Sequence, residues 1–190
     1  MLYAGRPGVS PALAVLLAQE RVKKRHAILD VGCGTGTDAL LLAKWGFRKI
    51  QAIDPEAKAV GTARSRAKRW RLDGRIEFRH MGAESLTKTF GPRTFDVVLH
   101  TLVANNLQKR KDAHFRAVAS VMKPDALLIL QERVTRRHEN QRPGSLQPLA
   151  QLRKYFDLSA GILTHLPEHR AGTSSPGYAR VALWLGRPRR

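Results

Sequence analysis

Short apolar runs alternate along this chain with longer segments in which apolar residues recur every three to four positions, and the alternation predicts strands and helices in turn. Ala27–Val31, Lys49–Ile53, Arg75–Arg79, Phe95–His100, Ala126–Glu132, Leu158–Leu163 and Ala179–Leu185 read as strands. Helices are predicted at Pro11–Lys24, Thr37–Lys44, Glu56–Trp70, Lys111–Met122 and Leu146–Tyr155. Elements in this order build an α/β fold around a doubly wound sheet. Pro124 ends the helix before the fifth strand, because proline disfavours helical backbone in the residue ahead of it. With 190 residues and neither an internal repeat nor a linker, the chain is expected to form one domain: a helical segment at 1–26, the sheet core at 27–186 and a basic tail at 187–190.

The segment Ile28-Leu-Asp-Val-Gly-Cys-Gly-Thr-Gly36 joins the first strand to the helix that begins at Thr37. Glycines 32, 34 and 36 let the backbone turn tightly and approach a ligand where a Cβ would collide, and the helix behind them aims its first N–H groups at that ligand. A dinucleotide site has the spacing G-x-G-x-x-G and sets a pyrophosphate on the helix. Here the spacing is G-x-G-x-G, and Asp30 stands two positions before the first glycine. A carboxylate there repels a pyrophosphate and suits an ammonium group. The next strand, Lys49-Ile-Gln-Ala-Ile-Asp54, also ends in an acid, at the separation that a βαβ unit requires.

These residues resemble the first motifs of the class I S-adenosylmethionine-dependent methyltransferases. The resemblance extends over about residues 10 to 186 and is most specific over 28 to 54. It implies a Rossmann-like sheet of seven strands, mostly parallel with the last antiparallel, and S-adenosylmethionine as the cofactor. It carries cofactor contact to Asp30, Gly32, Cys33, Gly34 and Gly36, and ribose binding to Asp54 with Pro55 beside it. After the third strand, Met81-Gly82-Ala83-Glu84 falls where family members set an acid against the adenine amine. Gly82 takes that place here, so either the Ala83 backbone or the Glu84 carboxylate substitutes, or Glu84 is a solvated turn residue. Where the family often has Lys-Pro-Gly-Gly, this chain has Lys123-Pro124-Asp125-Ala126, a departure confined to a turn.

In such sheets ligands gather beyond the carboxyl ends of the strands. After the fourth strand comes His100-Thr-Leu-Val-Ala-Asn105-Asn106, without the Asn/Asp-Pro-Pro-Tyr/Phe run of enzymes that methylate exocyclic base amines. The only cysteine, Cys33, is in the glycine turn, which argues against a thiol nucleophile for pyrimidine carbon. Direct transfer to an oxygen, a nitrogen or an activated carbon remains. That step asks the protein to align the nucleophile and, for an acceptor of high pKa, to help remove its proton. His100 is the candidate base, by position beside the cofactor and by intrinsic pKa; the alternative is a hydrogen-bonded residue of the pocket wall. Glu132, ending the fifth strand, is a second candidate with the same alternative. Asn105, Asn106 and Arg133 are candidates to orient the acceptor, although asparagine in such a loop is also a common helix cap. The polar segments Arg133 to Pro148 and Thr164 to Gly177 are expected to frame the acceptor, and Tyr3 and Arg6 to lie over the cofactor. No metal ligand set is assigned.

Charge changes the picture of the partner. The chain has 34 Lys plus Arg against 15 Asp plus Glu, a formal net charge of +19. The clusters at 21–25, 64–71, 109–111, 133–137 and 187–190 spread the excess along the chain. RNA or a ribosomal particle is the partner such a surface suits; solvated arginine-rich helix faces, as Arg64, Lys68 and Arg71 would form, are the alternative. A small-molecule acceptor keeps the same chemistry, and a non-catalytic nucleic-acid-binding scaffold is disfavoured by the intact glycine turn and Asp54. The apolar runs are shorter than the ~20 residues of a membrane span, and no secretory cleavage pattern follows the first of them. One cysteine gives no disulfide framework. Cytoplasm is the expected location, with an acid-poor, Arg-bearing start that also suits organelle targeting.

Overall fold

The computed structural model describes residues 10–101, 107, 111–133, 152–168 and 177–189. In chain order the elements are α1 (Pro11–Leu17), β1 (Ala27–Val31), α2 (Thr37–Lys44), β2 (Lys49–Asp54), α3 (Ala57–Arg69), β3 (Ile76–His80), a 3-10 turn (Ala83–Ser85), α4 (Leu86–Phe90), β4 (Phe95–Thr101), α5 (Lys111–Val121), β5 (Met122–Arg133), β6 (Phe156–Glu168) and β7 (Gly177–Pro188). The seven strands form one sheet in the order β3-β2-β1-β4-β5-β7-β6. The β1 to β5 pairs are parallel, and β7 runs antiparallel to both β5 and β6. Strand order therefore reverses between β1 and β4, and a crevice opens beyond their carboxyl ends.

Alternation along each strand sends successive side chains to opposite faces. Ile28, Val97, Leu99, Leu127 and Ile129 pack on one face with α1, α2 and α3. Leu29, Val31, Val98, Leu128 and Leu130 pack on the other with α5 and the turn after β3. Polar residues at the strand ends obey the same parity. Gln131 accepts a 2.9 Å hydrogen bond from the Ala12 N–H of α1, whereas Glu132 faces His100 on the side of Phe115. β1 is buried on both faces, which brings the Asp30 carboxyl into the protein interior at 1% exposure.

Several boundaries differ from expectation. α1 ends at Leu17 and not at Lys24, because the apolar face gives out there and Arg21, Lys23, Lys24 and Arg25 follow as exposed cations. Arg71 lies beyond α3 with φ 55°, so it does not share a helix face with Arg64 and Lys68. α4, between the turn after β3 and β4, was not expected, being too short for a periodic signal. Pro124 lies within β5 and not at the helix end, where the register shifts between the Phe95↔Met122 and Val97↔Leu127 pairs; α5 has already closed at Val121. Thr164 to Glu168 belong to β6 and not to a framing loop, since the ladder to β7 continues to Glu168↔Gly177. Arg187 and Pro188 are likewise strand, not tail, paired with Asp157 and Phe156. Tyr3, Arg6, Asn105, Asn106 and most of 133–148 lie outside the described residues. Among the described residues no helix is long and apolar enough to cross a membrane.

Candidate active site at the carboxyl ends of the strands

The glycine turn is built by backbone bonds between β1 and β2. The Gly32 and Cys33 N–H groups both donate to the Ile53 carbonyl, at 2.8 and 2.9 Å. Glycines 32, 34 and 36 have φ of 72°, 53° and 79°, a region that L side chains occupy only with strain. Their neighbourhoods differ. A Cβ on Gly34 would meet nothing within 4 Å, so this turn presents open space above its backbone. A Cβ on Gly36 would lie 2.7 Å from the Phe78 ring and 2.9 Å from the Ala63 Cβ, so Gly36 is where α2 and α3 meet the sheet. Gly36 also caps α2 without a side-chain hydrogen bond. Arg66 braces the turn from α3: its guanidinium donates to the Thr35 carbonyl at 2.8 Å.

Asp54 is held from two sides. Its Oδ2 accepts from the Gly34 N–H and its Oδ1 from the Glu56 N–H, both at 2.8 Å. Each oxygen keeps a second lone pair, so the ordered carboxylate has capacity for two further donors. Pro55 next to it is exposed, and its carbonyl accepts from His80 Nε2 at 3.0 Å. Beyond β3, Ala83 is buried and Glu84 exposed at the start of the 3-10 turn, with Gly82 as its cap.

Asp30 is the opposite case. Neither of its oxygens has a hydrogen-bond partner of good geometry. Burial first, then the charges of Asp38 and Asp54, push its carboxyl well above the usual carboxylate range, against a smaller contribution from the Ala39 N–H. Burial also raises the Cys33 thiol, which disfavours its thiolate at neutral pH. Asp38, in the first turn of α2, is raised to about 6 by burial; the Ser10 hydroxyl, donating to its Oδ2 at 3.0 Å, opposes that rise. Ser10 Oγ also accepts the Leu13 N–H and so caps α1. The capping serine and an acid of α2 thereby hold α1 against the layer that carries the glycine turn.

These residues fit S-adenosylmethionine on structural grounds. An orphaned buried acid suits an ammonium group, the open space over Gly34 admits a ligand close to the backbone, and Asp54 offers spare acceptors to a diol.

The sheet brings His100 and Glu132 together under the ends of β4 and β5, both buried, with 3.5 Å between His100 Nδ1 and a Glu132 oxygen. That separation is an ion-pair distance and long for a hydrogen bond. His100 Nε2 lies 2.8 Å from His114 Nε2 of α5, and both rings pack on Phe115. A proton on His100 Nδ1, towards Glu132, leaves His100 Nε2 to accept from His114 Nε2–H. His114 is the member with residual exposure, 8% against none for His100. The available sequence signal was a histidine on the apolar face of α5, next to Phe115 and one turn before Val118. Asp38 and Arg66 went unnoticed for a similar reason, as ordinary charged residues of amphipathic helices. Asn105 and Asn106 lie outside the described residues, and Arg133 closes β5.

Burial and the neighbouring His100 pull His114 from 6.5 down to about 3. The unfolded chain therefore takes up this proton first, and stability is lost as pH falls from 6.5 towards 3. Between pH 7 and pH 5 the loss amounts to about 2 kcal/mol. Asp38, raised from 3.8 to about 6, works in the other direction over that interval, so the expected result is a difference: His114→Phe should lack about 2 kcal/mol of the parent's acid destabilisation in urea unfolding at pH 7 and pH 5. Identical pH slopes for parent and variant would show that His114 does not bind its proton as its setting demands.

A family profile described as a methyltransferase domain matches residues 28–125, from the glycine-turn strand to the entry of β5. Among curated proteins, the ribosomal protein L11 methyltransferase of Thermotoga maritima is 26% identical over 130 residues, 67% of this chain and 44% of that protein. The chain thus spans less than half the length of that relative. Among solved structures, one described by the conversion of a disulfide bond into a thioacetal group during echinomycin biosynthesis superposes with TM-score 0.77 at 22% identity, over 94% of this chain and 81% of the other. A SAM-dependent methyltransferase from Methanosarcina mazei superposes with TM-score 0.71 at 21% identity, over 90% and 96%. At these identities the structural likeness speaks to the fold. Profile, strand order and glycine turn agree, and this chain belongs to the methyltransferase-domain family, on a fold it shares with a SAM-dependent methyltransferase.

Proposed function

We propose that the chain moves a methyl group from S-adenosylmethionine to an oxygen, nitrogen or activated carbon of an acceptor carried by RNA or a ribonucleoprotein particle. The observation that carries the acceptor is the net charge of +19. Guanidinium and ammonium groups that neutralise phosphates release counterions, which supplies affinity without sequence readout. The name of the Thermotoga relative, which sets its acceptor on a ribosomal protein, agrees with a particle as the target.

In this reading Asp54 receives the ribose hydroxyls and Asp30 the ammonium group of the cofactor. The backbone at Gly32, Cys33, Gly34 and Gly36 lies beneath the cofactor, Pro55 flanks the ribose, and Ala83 and Glu84 meet the adenine. The cofactor supplies a sulfonium methyl for a one-step in-line displacement. The chain's own part is alignment, with Asn105, Asn106 and Arg133 orienting the acceptor. His100 and Glu132 act through His114: with Glu132 facing His100 Nδ1 and the hydrogen bond between the two rings set as above, the His114 Nδ1 lone pair is left to take a hydrogen bond from an acceptor proton. This same buried polar chain favours a second reading, a small hydroxylated metabolite as acceptor, since a chain so enclosed suits a compact group.

Transfer of labelled methyl into total RNA and ribosomal particles at physiological salt separates the readings, with RNase-treated, protease-treated and small-metabolite fractions alongside. Label lost on RNase treatment is the expected result. Label confined to the metabolite fraction replaces the acceptor by the second reading, and label lost only on protease treatment makes it a protein of the particle.

A further inference from the structure

We infer that the amino-terminal edge of the sheet, at the far end from the glycine turn, is a docking surface for the phosphodiester backbone of RNA. The inference rests on the RNA reading above and locates the contact. Following the strand order across the sheet, Arg75 precedes β3, Arg48 precedes β2, Arg25 precedes β1, Arg93 precedes β4, Lys123 opens β5 and Arg187 closes the antiparallel β7. Lys154 completes the row ahead of β6. Every strand thus meets this edge within three residues of a cation, and the registers Ala27↔Lys49, Ile50↔Ile76, Phe95↔Met122 and Phe156↔Pro188 bring those ends level. Six inter-strand spacings make the row ~29 Å wide, the axial length over which one strand of a B-form duplex carries about eight phosphates.

Helix dipoles explain part of this charge and leave the rest. Lys44 ends α2, and Arg66, Lys68 and Arg69 lie in the last turn of α3, where cations are favoured. Arg25, Arg48 and Arg93 precede strands, whose net dipoles are small, and are exposed. Arg25 and Arg48 have no acidic partner among the described residues. Of the row, Lys123 pairs with Asp96 at 2.7 Å, Lys154 with Asp112 at 3.5 Å, and Arg75 donates to the Ala43 carbonyl; Asp96 also takes the Ala27 N–H, Asp157 pairs with Arg189 at 2.8 Å, and Asp73 and Asp125 stand exposed beside a row in which cations remain in excess. Aromatic faces hold two neighbouring cations in place, Lys24 over Phe47 at 4.2 Å and Lys44 over Trp70 at 4.0 Å. Partial burial and then Arg187 hold Arg21 below its ordinary range, against an opposing contribution from Asp125. A membrane surface fits less well, because Leu17 is the only exposed large apolar side chain among the described residues and nothing beside the row would enter lipid. The five residues of β1 separate the row from the glycine turn by ~16 Å. The surface is therefore an anchor for a large folded RNA, distinct from the place of methyl transfer.

The test compares two triple variants of equal charge change in the full chain. One is Arg25→Gln, Arg48→Gln and Arg93→Gln; the other is Lys58→Gln, Lys111→Gln and Arg116→Gln, on helices away from the edge. Affinity for a fluorescent structured RNA and for phosphatidylserine vesicles is titrated over potassium chloride concentration, and S-adenosylmethionine affinity is measured calorimetrically. The edge triple should weaken RNA binding at least about tenfold and reduce the slope of log affinity against log salt by about 2 to 3, while the second triple changes the slope by less than about 1. Both should keep the cofactor affinity. Equal slopes in the two triples, with the parent binding RNA, overturn the location and leave the RNA reading standing. A parent with no salt-dependent RNA affinity overturns that reading and the inference together, as does binding to vesicles alone.

Discussion

Gly36→Ala should lower the unfolding temperature by roughly 5–15 °C, while Gly34→Ala, two residues earlier in the same turn, should lower it by only a few degrees. Both glycines have positive φ, so alanine strains either backbone by about 1–2 kcal/mol. The difference lies in what a methyl group meets. At Gly36 it falls 2.7–2.9 Å from Phe78 and Ala63, atoms of a buried ring and a helix that cannot retreat without opening the contact between α3 and the sheet. Overpacking of that kind costs a further ~1–3 kcal/mol, a sizeable part of the ~5–15 kcal/mol that holds a domain folded. At Gly34 the methyl enters open space. Its effect should therefore fall on cofactor affinity. Thermal unfolding followed by circular dichroism measures both variants, and equal losses would refute the contrast.

Asp54→Ala should weaken S-adenosylmethionine binding roughly 10- to 150-fold, the equivalent of losing ~1.5–3 kcal/mol of hydrogen bonding to a charged group. The carboxylate is oriented before any ligand arrives, by the Gly34 and Glu56 amides at 2.8 Å, so little ordering is left to oppose binding. The substitution also strips an acceptor from each amide, and some stability is lost with the affinity. Asp54→Asn separates the two effects, because its amide oxygen can still serve one of the two N–H groups while the charge is gone. Titration calorimetry of both variants gives the answer. Affinity unchanged in Asp54→Ala, with the protein still folded, would reject the ribose contact.

What was legible in the sequence has a local cause. Strands β1, β2 and β4 follow from apolar runs buried on both faces, and α2 follows with both ends correct because Gly36 and Trp45 bracket an apolar-periodic stretch. The glycine turn and the acid at the end of β2 are consecutive-residue patterns, and they were sufficient to identify the family. Boundaries failed where a neighbouring strand decided them: β6 and β7 lengthen because each supplies the other's hydrogen bonds as far as Glu168 and Gly177. α1 shortens because its apolar face ends, which the run of cations after it disguised.

The sequence by itself determined the order of elements, the glycine cradle and the excess of cations, since each is a property of residues adjacent in the chain. Only the tertiary structure decided which polar groups meet. Gln131 and Glu132 are neighbours, yet the pleat sends one to the Ala12 amide and the other to His100. His114 joins His100 across 14 residues because α5 folds back under β4, and Asp38 joins Ser10 across 28 because α1 and α2 pack on the same face of the sheet. The alignment of cations along one edge of the sheet has the same origin: residues scattered from 25 to 187 become a row because strand register brings their ends level.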